Sequence, residues 1–142
     1  MANANAMCTS FKQELLEGVH NFKASGGDTF KIALYSSSSS MDADTTVYSS
    51  SNETSGTGYS AGGAVLGNVD PDTSSTTAFT DFDDEVWTTA SFTARGALIY
   101  NSSDSNKAVV SLDFGADKTA TVGTFTVAFP PANSSAAIIR IA

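Results

Sequence analysis

Apolar residues recur at every second position through most of this chain. Phe30, Ile32 and Leu34 alternate with Thr29, Lys31 and Ala33. That is the period of a strand, whose successive side chains point to opposite faces. Residues 76–82 alternate in the same way; Val110, Leu112 and Phe114 share a face, as do Phe125, Val127 and Phe129. Further strand candidates lie at 45–49, 64–69, 85–88, 91–101 and 136–141. Turn-forming clusters separate them: the serines 36–40, the Gly/Ser/Thr-rich 51–63, Asp70-Pro71-Asp72, 102–106, 115–123 and 130–133. Short strands with regular turn signals predict an all-β fold, an antiparallel β-sandwich of jelly-roll-like type. Helices of the length that parallel crossovers need are missing from the pattern.

One stretch has a helical period. Phe11, Leu15, Val19 and Phe22 recur at roughly helical intervals, and Ser10 precedes Gln13 at capping-box spacing. A helix is expected over 10–18, stopped by Gly18. So short a helix is stable only when its apolar face docks. Phe11, Leu15, Val19 and Phe22 are therefore the candidate interface, against the chain's own sheet or another subunit. Residues 1–9 are small, polar and aperiodic and predict a flexible N-terminal arm. With 142 residues, the remainder, 10–142, is expected to be a single domain.

Composition narrows the functional classes. Charged residues make up 15% of the chain, while 21 serines and 17 threonines supply much of its polarity. The net charge of −8 repels phosphate and argues against direct nucleic-acid binding. A single cysteine, Cys8, excludes a disulfide framework and fits a reducing cytosol. The first residues lack the basic and apolar regions of a secretory signal, and no apolar run reaches the roughly 18 residues of a membrane span. No membrane partner is expected.

The motifs that could carry chemistry are weak. Gly58-Tyr59-Ser60-Ala61-Gly62 has the form of a nucleophile elbow, but the only histidine, His20, lies upstream, and strand-like residues follow. Gly56-Thr57-Gly58-Tyr59-Ser60-Ala61 imitates a dinucleotide fingerprint without the helix that fingerprint must open. Carboxylates gather at Asp81, Asp83, Asp84 and Glu85, and at Asp42/Asp44 and Asp70/Asp72, without a calcium-loop spacing. Aspartates in such positions more often serve turns. His20 and Cys8 have no second histidine or cysteine with which to build a zinc site. No catalytic residue, cofactor or metal is expected. Trp87 with Phe92, and the Phe79/Phe82 pair, could form an aromatic platform for a sugar, although a β-sandwich commonly places such rings in its core.

An ordered series of segments resembles the small virion structural proteins of tailed bacteriophages. They are Ser10-Phe11-Lys12 with Leu15-Leu16 and 18–22; 28–35; Asn52-Glu53 with 55–59 and Gly62-Gly63; 93–101; Asp113-Phe114-Gly115 with Lys118; 125–127; and 136–141. The resemblance covers nearly all of the chain after residue 9. It implies a non-enzymatic β domain, a head decoration or cement protein on the outer capsid surface. Such a protein bridges major capsid protein subunits, associates as a dimer or trimer, and is made in the host bacterial cytoplasm. A tail or baseplate protein is the alternative within the virion; a carbohydrate-binding module is the alternative from another class.

Overall fold

The computed structural model describes residues 3–142. Its elements are β1 (Ala6–Met7), α1 (Thr9–Leu16), β2 (Phe30–Tyr35), β3 (Ala64–Val65), β4 (Asn68–Ser74), β5 (Thr77–Phe82), β6 (Glu85–Asn101), β7 (Lys107–Val127) and β8 (Ile139–Ile141). They form two antiparallel sheets, a larger one ordered β1-β7-β6-β2-β3 and a smaller one ordered β4-β5-β8. The architecture is the expected all-β sandwich with one short helix. The jelly-roll expectation reaches no further than this layering.

β2 sits inside the larger sheet and pairs with β6 from Phe30↔Asn101 to Tyr35↔Gly96. Phe30, Ile32 and Leu34 face the helix side and are fully buried. Phe22, on the segment leaving α1, stacks on Phe30 at 4.4 Å and 6°, and Phe82 of the smaller sheet approaches both rings. Each such pair contributes about 0.5–1.5 kcal/mol beyond the area it buries. Alternation predicts that the opposite face of β2 is wet. Instead Ala33 and Tyr35 are buried as well, because segment 36–63 folds back over that face. Its backbone is fastened there by Ser36 N–H donating to the Asn52 carbonyl (3.0 Å) and Thr54 N–H donating to the Leu34 carbonyl (2.8 Å).

The N-terminal residues differ from the flexible arm expected over 1–9, of which residues 1 and 2 lie outside those described. Asn3 and Cys8 are buried. Ala6 and Met7 pair with Ser111 and Val110 on β7. The Ser111 hydroxyl donates to the Ala4 carbonyl at 2.7 Å, and Asn5 Oδ1 accepts from Asp113 N–H at 2.7 Å. The ordering comes from backbone pairing at a sheet edge, to which polar composition is blind. It also moves the helix start. Cys8 N–H is held by Val109 and Thr9 N–H by Ala43, so α1 begins at Thr9. Cys8 is the N-cap without a side-chain cap bond, and the Ser10 hydroxyl is buried without a partner. The capping box does not form.

Two expected loops lie within strands. Residues 115–123 belong to β7, which takes up extra residues as bulges: Ala94↔Lys118 is followed by Gly96↔Asp113, and the register shifts again around Ala90↔Gly123. Thr89 and Val122 take left-handed φ values of 49° and 43° at that second irregularity, an unusual conformation for β-branched residues. Asp70-Pro71-Asp72 lies in β4 at a register shift between Val69 and Asp72. This is an edge strand, where a proline costs no ladder bond. Conversely, 45–49 forms only the isolated bridge Val47↔Lys107.

The turn into β3 has no room for a side chain. Gly63 has φ +78°, and a Cβ there would stand 1.8 Å from the Ile32 carbonyl oxygen. Gly63→Ala is expected to lower stability by about 3 kcal/mol or more, combining backbone strain with overlap against β2. Thermal unfolding of the variant checks this.

Candidate docking surface

All four tyrosines gather around one carboxylate. Glu53 Oε1 accepts from the Tyr59 hydroxyl (2.5 Å) and from Gly62 N–H (2.8 Å), while Oε2 accepts from the Tyr48 hydroxyl (2.7 Å). The Tyr59 oxygen in turn accepts from Leu34 N–H of β2 at 2.9 Å. The Tyr100 hydroxyl donates to the Gly62 carbonyl and its ring stacks on Tyr48 at 4.7 Å; the Tyr35 hydroxyl donates to the Ser49 carbonyl. Burial and the Glu53 charge push the proton affinity of these phenols up, that of Tyr100 to about 12. They act as donors that bind a loop to a sheet. The two glycine-loop motifs at 56–62 lie inside this clamp and are followed by β3, not by a helix.

The other polar candidates are also engaged in the fold. The His20 side chain is fully buried; Nε2 lies 3.0 Å from Glu14 Oε1 and Nδ1 lies 3.0 Å from Asn101 Nδ2. Cys8 is a buried thiol, pushed up to about 11 by burial and then by the nearby carboxylates of Asp42 and Glu14. The carboxylates serve backbone N–H groups: Asp42 that of Asp44, Asp70 that of Ala24, Asp72 that of Thr73, and Asp84 that of Phe129. Among the described residues no three His, Cys, Asp or Glu side chains are grouped to hold a metal ion. Among the described residues no helix is long and apolar enough to cross a membrane.

Trp87 is 7% exposed. Its ring is enclosed by Tyr59, Phe92 and Phe125 at centroid distances of 6.0–6.4 Å, so it offers no open platform for a sugar. A concavity of about 410 Å³ lies along the bulged β7 between Phe114, Lys118 and Thr124–Ala128 and mixes hydroxyls with apolar atoms.

The candidate interface divides. Phe11 and Phe22 are buried in the chain's own core, the first of the two docking faces open to the helix. Leu15 and Val19 are half-buried. Leu15 and the edge of Phe22 line a groove of about 120 Å³ between α1 and the smaller sheet, walled by Phe79, Ile139 and Ile141 and almost wholly apolar. Leu16, the residue after Leu15, is 92% exposed, and Ile141 is 57% exposed. Sequence periodicity located the helix but missed Leu16. The exposed leucine lies off the 11-15-19-22 stripe, and β8 reaches the groove only through pairing with β5.

The half-buried Glu53 and the buried Asp81 set three expected outcomes. Glu53→Gln keeps the shape but gives up a charged acceptor of three bonds, and is expected to lower stability by about 2 kcal/mol. In the parent chain the raised tyrosines lose their protons more readily when unfolded. Their contribution is therefore complete below pH about 10 and is lost as pH rises toward 12; thermal melts across that range check both statements. Asp81 is 1% exposed, with Oδ1 on Phe82 N–H and Oδ2 unpartnered, and burial raises its proton affinity. Its contribution is greatest below the ordinary carboxylate range and falls as pH rises, so Asp81→Asn is expected to melt higher than the parent at pH 7. Comparisons of the chain with protein-family models, curated proteins and solved structures return no match.

Proposed function

We propose that this chain is a non-enzymatic virion structural protein of tailed bacteriophages, a decoration or cement protein that binds the outer capsid surface and bridges major capsid protein subunits. The observation that carries the reading is the apolar groove between α1 and β8, lined in part by the 57% exposed Ile141, together with the 92% exposed Leu16 that follows Leu15 at the end of α1. Large apolar side chains at the surface, grouped around a concavity, suit a protein-docking role. The sequence resemblance supplies the kind of partner. Two further features support it. The histidine, the cysteine and Glu53 are bonded into the fold, as a scaffold would have them. A surface rich in serine and threonine also meets a protein lattice with little charge to desolvate, and repetition over a lattice makes weak individual contacts effective.

The net charge of −8 favours the outside of the shell over contact with the genome. Self-association as a dimer or trimer belongs to the same proposal. A tail or baseplate position is the second reading, favoured by the same resemblance.

Copy number and a surface variant test the proposal together. Quantitative mass spectrometry of purified particles is expected to find hundreds of copies, and Leu16→Glu is expected to cut incorporation about tenfold or more, equivalent to about 1.4 kcal/mol or more of contact, with the melting temperature unchanged. A handful of copies per particle would favour the tail reading. Full incorporation of the variant would remove the exposed end of α1 from the interface.

A further inference from the structure

The buried histidine sits in a chain of hydrogen bonds whose polarity is fixed from outside. Asn101 is fully buried. Its Oδ1 accepts from Ser103 N–H (3.0 Å), and its Nδ2 donates to Asp28 Oδ2 (2.9 Å). Those two bonds determine which end of the amide is which. The second Nδ2 hydrogen then points at His20 Nδ1, 3.0 Å away, so Nδ1 accepts. A neutral imidazole that accepts at Nδ1 carries its hydrogen on Nε2, which donates to Glu14 on α1. Asp28 is itself tied to Asn21, accepting from its N–H at Oδ2 and donating its own N–H to the Asn21 carbonyl. The order is Glu14, His20, Asn101, Asp28, running from the helix through the ring to β6 and the loop before β2.

We propose that this chain of bonds is an acid-sensitive latch that fastens α1 to the larger sheet and releases it when His20 takes up a proton. A second hydrogen on the ring would sit on Nδ1, facing the Asn101 NH₂ donor. Turning the amide over would satisfy Nδ1–H but would set Oδ1 against the Asp28 carboxylate and the NH₂ group against Ser103 N–H. Neither arrangement satisfies every group, and a buried donor or acceptor without a partner is costly. The titratable groups facing the ring are Glu14 from α1 directly and Asp28 through Asn101. The remaining neighbours are the rings of Phe11, Phe22 and Phe30, which offer a displaced proton no alternative acceptor. Glu14 holds the charged ring more tightly than the neutral one, so the break falls at Asn101, between the helix and the sheet. The consequence reaches the surface, since Leu15 and Phe22, which flank this network in sequence, line the apolar groove. The latch is a property of the chain alone. Its effect on docking rests on the function proposed above.

Nitrogen-15 NMR of the full chain reads the tautomer directly. At pH 7.5 His20 is expected as the neutral Nε2–H form with Nδ1 unprotonated; a neutral Nδ1–H form would overturn the proposal. On acidification to pH 5, amide exchange in α1, corrected for its intrinsic pH dependence, is expected to accelerate about tenfold or more. Unchanged exchange alongside a protonated ring would also overturn it. His20→Gln supplies the same acceptor and donor without titrating, so its α1 exchange is expected to be flat over this range. If the acid response persists in that variant, the latch is not at His20. If the variant does not fold, the parent's tautomer and exchange decide alone. None of these readouts involves a particle, so their failure is separate from failure of the proposed function.

Discussion

The carboxylate of Glu53 is the interaction on which the arrangement depends. Segment 36–63 is long, irregular and rich in serine and glycine, the composition of a chain that pays heavily in conformational entropy to be fixed. Yet it covers one face of β2 and makes a two-sided core from a sheet that would otherwise have one wet face. Two tyrosine hydroxyls and a backbone N–H converge on Glu53, and the Tyr59 hydroxyl relays the contact to the backbone of β2. Charge-assisted bonds of this type are about twice as strong as neutral ones. With them in place, Tyr35, Tyr100 and Leu98 are buried.

The opposite face follows different chemistry. There the rings of Phe11, Phe22 and Phe30 close around a buried histidine, and Phe82 packs against Phe22 and Phe30. The helix that brings Phe11 is only eight residues long, too short to persist by propensity. It holds because its first turn is anchored by β1 and the Cys8 and Thr9 backbone bonds, and its last turns by Glu14 on His20. The polar side chains best suited to chemistry thus support the architecture, and the groove at the rim is lined almost wholly by apolar side chains.

How much of this could be read from the sequence varies by element. β2 and β5 were legible because their alternation is clean and their ends carry turn residues. β7 was not. Its bulges let Gly115 and Gly123 lie within a strand, and a period-two reading breaks wherever an extra residue enters the ladder. The N-terminal strand was illegible for another reason: two residues of edge pairing leave no periodic trace. Glu53 had one signal that was available and unused. It is the only Asp, Glu, Lys, Arg or His between Asp44 and Asp70, and a lone charge among hydroxyls and glycines asks what binds it. For the candidate surface, the stripe of Phe11, Leu15, Val19 and Phe22 identified the right helix. Which of its apolar residues turn inward depends on where β8 and the smaller sheet lie, a long-range fact.

The central claim is that the fold is a scaffold presenting the α1–β8 groove to a capsid lattice. Three-dimensional imaging of the intact particle that carries this chain measures that directly. The expected result is density for many copies on the outer head, with α1 and β8 against the shell and segment 36–63 facing away. Density confined to a tail ring, or copies on the head with the groove open to solvent, would contradict it.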